Sequence, residues 1–133
     1  MMYMSSTKPS NMEEIRKHKE ICSKILALSP KIRYVGMLNI FGKTIAGDMR
    51  KGVRPLFKPE EARDDFFLTA TRESLRKNFV PSLGKHHFTL TVHDKVKIVS
   101  FSSDTVAFYI TVEEDASYDE IAKIVEAASK FRT

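Results

Sequence analysis

The stretch TVAFYITV, residues 105–112, constrains this chain more than any other. Val106, Phe108, Ile110 and Val112 alternate with Ala107, Tyr109 and Thr111. Successive side chains of a strand point to opposite faces. A strand that is apolar on both faces needs cover on both, so this one predicts the centre of a sheet with helices above and below. The chain has 133 residues, which suits one domain built on one core.

The flanking segments supply the rest of such a sheet. Residues 1–10 read as a flexible leader, and residues 11–133 as a single domain. Asn11, with Glu14 three positions on, predicts a capped helix start. That helix turns Ile15, Cys22, Ile25 and Leu26 to one side, with Ile21 and Leu28 beside them, and Pro30 should stop it near Leu28. Residues 32–38 are rich in Ile, Tyr, Val and Leu but alternate unevenly. Asn39-Ile-Phe-Gly42 predicts a turn with Gly42 at positive φ. A second strand restarts at Lys43 and should break at Gly47-Asp48. The basic loop DMRKGVRPLFKP comes after it.

Pro59, trailed by Glu60 and Glu61, predicts a helix start. This helix should reach about Asn78. Its apolar positions fall on two sides: Ala62, Phe66 and Ala70 on one, Leu68, Leu75 and Phe79 on the other. A helix this broadly apolar touches more than its own core. Three strands come next, KHHFTLTV, VKIVSF and the opening stretch, separated by polar turns at 93–95 and 102–104. Phe88, Leu90 and Val92 share one face of the first of them. Ser117-Tyr-Asp-Glu120 is a capping box, and Ile121, Ile124, Val125 and Ala128 mark an apolar stripe on the last helix. The expected fold is α+β: a five-stranded antiparallel sheet flanked by helices in the order α-β-β-α-β-β-β-α.

Composition narrows the function classes. The single cysteine excludes an intrachain disulfide and a cysteine-cluster metal site, and fits a reducing cytoplasm. The opening MMYMSSTKPSN has no apolar run of signal-peptide length, which points away from secretion. No apolar stretch approaches the ~20 residues of a membrane span. Charge is uneven: residues 1–57 hold 11 Lys and Arg against 4 Asp and Glu, and residues 102–133 hold 3 against 7. If folding kept these ends apart, the molecule would be electrically polar and would steer an acidic partner.

No residue pattern announces catalysis or metal binding. His86 and His87 are adjacent on a strand and point to opposite faces, and the turn at His93 takes that side chain away. His18 and Cys22 lie four apart on one helical side, but that side is apolar, so a buried thiol is the simpler account. Asp48, Glu60, Glu61, Asp64 and Asp65 gather around a helix start, where the helix dipole accounts for carboxylates. GKTIAG lacks the spacing of a phosphate-binding loop. No cofactor is expected. Arg33, Arg50, Lys51, Arg54 and Lys58 form the strongest candidate for meeting an anion or a partner, although Tyr34 and Phe57 give few aromatics for stacking bases.

The hairpin YVGMLNIFGKTIAG and the strand-to-helix end TVAFYITVEEDASYDEIAKIVEAA resemble the roadblock (dynein light chain) domain, a relative of the profilin-like and longin folds. The resemblance covers about residues 11–130, by pattern. The stretch SPKIRYVGMLNIFGKTIAGDMRKGVRPLFKPEEA also resembles short proteins of ammonia-oxidising archaea. The roadblock resemblance implies a homodimer in which the middle helix and third strand of each subunit meet their counterparts. Here those are residues 59–78 and 85–92, which puts Phe66, Leu68, Leu75, Phe79, His87 and Phe88 at the contact. It further implies a non-enzymatic scaffold or regulator that binds proteins, with small GTPases among the partners. Arg72, Glu73, Arg76, Lys77 and the His86-His87 pair depart from an apolar contact and would blunt the strand edge. Two other readings stand beside it. One is a PAS-like small-ligand sensor with a pocket lined by Phe66, Phe67 and Phe88. The other is nucleic-acid binding through the basic loop.

Overall fold

The structure is a computed structural model that describes residues 3–132, with side chains described from Met12 onward. Its elements are α1 (Tyr3–Leu26), β1 (Ile32–Leu38), β2 (Thr44–Met49), α2 (Pro59–Arg76), a 3₁₀ turn (Lys77–Phe79), the short α3 (Val80–Leu83), β3 (Thr89–Val92), β4 (Val96–Ser102), β5 (Ala107–Glu113) and α4 (Tyr118–Ala128), with a second 3₁₀ turn at Ser129–Phe131. The strands form one antiparallel sheet in the order β2-β1-β5-β4-β3. The fold is α+β, as the sequence predicts, and β5 is its central strand.

The two faces of β5 enter two cores. Phe108, Ile110 and Val112 join Cys22 and Ile25 of α1 and Ile121, Ile124, Val125 and Ala128 of α4. Ala107 and Tyr109 face the other way, with Leu38, Val96 and Ile98, against Phe66 of α2. Two helices thus cover one face and one helix covers the other. This is the double cover that TVAFYITV demands.

Several boundaries differ from those the sequence predicts. The first helix starts at Tyr3, so Asn11 lies inside it and is not its cap. Ile15 and Leu28 are exposed, while Cys22 and Ile25 are fully buried. Only the later part of the apolar side of α1 reaches the sheet. The uneven alternation of residues 32–38 has a cause in the ladder. Ile32 pairs with Val112 and Tyr34 with Thr111, so the register slips at Arg33. A one-residue bulge reverses the faces of the strand residues beyond it.

The hairpin turn is held by Asn39. Its carboxamide oxygen accepts from the amides of Phe41 at 2.9 Å and Lys43 at 3.0 Å, and Gly42 takes φ 81°. β2 does not break at Gly47 but runs on to Met49. Gly47 pairs with Gly36, and the Tyr34 ring lies across both. A Cβ on Gly47 would stand 2.5 Å from the Tyr34 hydroxyl, and one on Gly36 2.9 Å from it. The glycines serve as the floor under an aromatic ring rather than as a strand end.

β3 is shorter than KHHFTLTV suggests. It covers only Thr89–Val92, because His86 turns inward to Glu73 and Thr89 instead of extending the ladder. Phe88 therefore precedes the strand. The basic and acidic ends of the chain are not held apart either. β1 pairs with β5, which sets Arg33 against Glu113 at 3.1 Å and Lys31 against Glu120 at 3.2 Å and Asp115 at 3.8 Å. These contacts place part of the basic front beside part of the acidic end.

The capping box of α4 forms as the sequence predicts. The Glu120 amide donates to Ser117 Oγ at 3.1 Å, and the Ser117 amide donates to Glu120 Oε1 at 2.9 Å. The Ser117 amide bond, then Lys31, holds the Glu120 carboxyl below its ordinary range. The box is therefore complete above the usual glutamate range of about pH 4.3 and is lost as pH falls through the depressed value. Replacing Ser117 with alanine should cost about 1 kcal/mol, read as a lower urea midpoint with an unchanged denaturant slope.

Candidate functional site

α2 presents two faces that fit the two sides read from its sequence. Toward the sheet it turns Ala62, Phe66, Thr69, Ala70 and Glu73, at helical spacings of three and four. Phe66 stacks with Tyr34 (6.2 Å between centroids, 8° between planes) and meets Tyr109 edge-on (4.8 Å, 71°). The Tyr109 hydroxyl donates to Asp65. Burial, and next the hydrogen bond to Asp65, push that phenol well above its ordinary range. Burial likewise raises Tyr34 to about 12. Neither tyrosine ionises near neutral pH.

On its opposite face α2 leaves Leu68 55% and Leu75 54% exposed, with Phe79 exposed just beyond. These three of the six residues assigned to a subunit contact form one stripe. Phe66 does not belong to it, because its ring is taken up by Tyr34 and Tyr109 within the same chain. Phe88 is exposed beside the outer strand β3, together with Val92. His87 is also exposed, and its carbonyl accepts from Arg132. β3 is an edge of the sheet, so one side of its backbone has no neighbour among the described residues.

The five basic residues divide. Arg50 is a structural clamp: Nε donates to Ile32 O at 2.7 Å, and Nη2 donates to Leu26 O at 2.6 Å and Ser29 O at 2.8 Å. It satisfies carbonyls at the end of α1, where a cation is also favoured by the helix dipole. Arg33 is engaged with Glu113 and with Arg54 O at 2.7 Å. Lys51, Arg54 and Lys58 remain exposed. This removes two of the five cations from the reading that nucleic acid binds the loop. The Arg50 clamp was not legible in the sequence; three acceptors upstream of a basic loop leave no pattern.

A cavity of about 300 Å³ lies between the loop, the sheet and α2. Tyr34, Leu56, Phe57, Phe66, Ile98 and Tyr109 are among its lining. Of the three phenylalanines expected around a pocket, Phe66 is there. Phe67 instead lines a wider cleft with Phe41 at the hairpin tip, and Phe88 lies by β3.

Glu73, grouped in the sequence with Arg72, Arg76 and Lys77 as a departure from an apolar contact, is the one charged side chain buried among the described residues. It is 1% exposed. Its Oε2 accepts from Ser100 Oγ at 3.0 Å and Thr89 Oγ1 at 3.4 Å. Its Oε1 stands 3.5 Å from His86 Nδ1, and His86 Nε2 lies 2.9 Å from Thr89 Oγ1. A signal was present: Glu73 comes after Phe66, Thr69 and Ala70 on the sheet-facing side of the helix. Nearby, burial lowers the basicity of Arg132, with Glu73 opposing that effect.

Other candidates resolve simply. Cys22 is fully buried, and burial, with the charge of Asp48 second, raises its thiol to about 12. A thiol so raised is a packing group and not a nucleophile. Among the described residues no group of three or more His, Cys, Asp or Glu side chains is placed to hold a metal ion, and no helix is long and apolar enough to cross a membrane.

No family model and no curated protein matches the sequence. Solved structures do match the fold. The gliding protein MglB from Thermus thermophilus superposes with a TM-score of 0.68 at 13% identity, over 87% of this chain and 85% of that one. An MglB described with a tetrameric arrangement gives 0.66 at 13% identity, over 89% of each chain. A roadblock domain from Streptomyces avermitilis gives 0.58 at 12% identity, over 85% of this chain and 95% of that one. The fold is roadblock-like.

Proposed function

We propose that this chain is a non-enzymatic, roadblock-like scaffold or regulator. It pairs as a homodimer and offers the paired surface to a protein partner, for which a small GTPase is the class that the resemblance implies. The reading is carried by the stripe of Leu68, Leu75 and Phe79. It stands on the face of α2 opposite Phe66 and Ala70, so its own subunit cannot cover it. The open edge at β3 supplies a second contact, with Phe88 and Val92 exposed there. The tetrameric arrangement of one MglB structure supports assembly as a property of this fold.

The wild-type protein should scatter light as a dimer of 15.2 kDa chains at micromolar concentration. Leu68→Asp with Leu75→Asp should weaken that dimer at least about ten-thousandfold, since each leucine contributes about 1.5 kcal/mol or more on burial and each appears twice. Both side chains are exposed in the protomer, so the circular dichroism spectrum should be unchanged. A wild-type protein that is monomeric under these conditions overturns the reading.

A second reading, small-ligand sensing, is favoured by the cavity beneath the loop. Its aromatic and aliphatic walls suit a flat apolar molecule, and a pocket of this size suits a small one. Native mass spectrometry separates the two readings: a sensor carries additional bound mass, and a scaffold does not require any.

A further inference from the structure

A second cavity, of about 270 Å³, opens between the end of α2, the segment entering β3 and the last turn of the chain. Arg76, Lys77, Lys85 and Arg132 line it, with His86, against only Glu73 and Asp104. Four cations against two carboxylates leave a surplus of two positive charges, before His86 is counted.

The two acids do not neutralise the arginines by contact. Among the described residues neither arginine forms an ion pair; Glu73 Oε2 accepts from Ser100 and Thr89, while its Oε1 lies 3.5 Å from His86 and has no hydrogen-bond partner among the described residues. Lys77 is turned to the carbonyl of Asp104 at 2.7 Å. Arg76 and Arg132 are different. Each is stacked on an aromatic ring, Arg76 over Phe79 at 5.3 Å and Arg132 over Phe101 at 4.7 Å. Each keeps a buried Nε with no hydrogen-bond partner among the described residues. Arg132 uses one other nitrogen on His87 O. A guanidinium pinned against a ring is pre-oriented, so little freedom is lost when it binds. The Nε atoms are shielded from solvent, so an acceptor in the cavity would meet the terminal guanidinium nitrogens, through charge-assisted bonds.

We propose that this cavity binds the phosphate group of a small phosphorylated molecule. Phosphate matches the site better than carboxylate. It can carry two negative charges, equal to the surplus, and it accepts from several sides at once, as donors on α2, before β3 and near the chain's end require. The donors converge on one cavity of about 270 Å³, a size that suits a small molecule over a nucleic-acid backbone.

Calorimetric titration of the full chain with inorganic phosphate at constant ionic strength tests it, with acetate titrated in parallel. Phosphate should bind saturably at one site per chain, and acetate should not saturate. Arg132→Gln and Arg76→Gln should each weaken phosphate about tenfold through loss of a charge-assisted bond, whereas Lys123→Gln, an exposed cation on α4 outside the cavity lining, should leave it unchanged. Lys85→Gln gives the same readout at a side chain with no hydrogen bond among the described residues, should either arginine variant fail to fold. Absence of saturable phosphate binding overturns the proposal. So does acetate binding as tightly as phosphate, or affinity that survives all of these cavity substitutions.

Discussion

Replacing Gly42 with alanine should destabilise the protein by about 3 kcal/mol and lower its melting temperature by roughly 10 °C. Two effects add. Gly42 sits at φ 81°, where a Cβ costs about 1–2 kcal/mol. The new carbon would also lie 2.6 Å from Phe67 Cα, 2.7 Å from Phe67 N and 2.9 Å from Phe66 C. All three are backbone atoms of α2. They cannot swing aside as a side chain would, so the helix or the hairpin must move. Gly52 is the internal control. It too has positive φ, 82°, but nothing lies within 4 Å of its Cβ position, so alanine there should cost only the conformational share, about 1 kcal/mol. Thermal unfolding of both variants checks the difference. Equal losses would show that the hairpin tip does not brace α2.

Arg50→Met should cost about 3–4 kcal/mol, measured by urea unfolding. The aliphatic stem is kept, but three charge-assisted bonds go, and the carbonyls of Leu26, Ser29 and Ile32 lose that donor. Arg50→Lys should recover less than half of the loss. One ammonium cannot span two carbonyls at the end of α1 and a third on β1 as a planar fork does. Full rescue by lysine would mean that charge at the helix end, and not the fork, holds this corner.

These two residues mark how far the sequence could be read. Gly42 was legible because a turn glycine between two strands is a local pattern. Its contact with α2 was not, since nothing near Gly42 in sequence names Phe67 as a neighbour. Arg50 looked like a free cation in a basic loop, and only the packed chain shows carbonyls converging on it. The same division runs through the molecule. The two-sided periodicity of α2, the capping box at Ser117 and the double apolar face of β5 depend on residues a few positions apart, and each was readable. Where β2 ends depends on the Tyr34 ring lying over Gly47. Where β3 begins depends on His86 turning to Glu73. Both are set across the fold, beyond the reach of local spacing. The candidate site divides in the same way: Leu68, Leu75 and Phe79 separate from Phe66 by helical geometry alone, but the buried Glu73 network and the stacked arginines needed three dimensions.

The pairing of β1 with β5, Ile32 to Val112 and Leu38 to Ala107, has a consequence for how the chain acquires its shape. The first hairpin reaches its inner neighbour only after residues 39–106 and then β5 have been made. Until then, β1 on the ribosome has β2 on one edge and an unpaired edge on the other. Closure is thus a long-range event, the kind that slows assembly, and the newborn chain is vulnerable to sticking to others until β5 emerges.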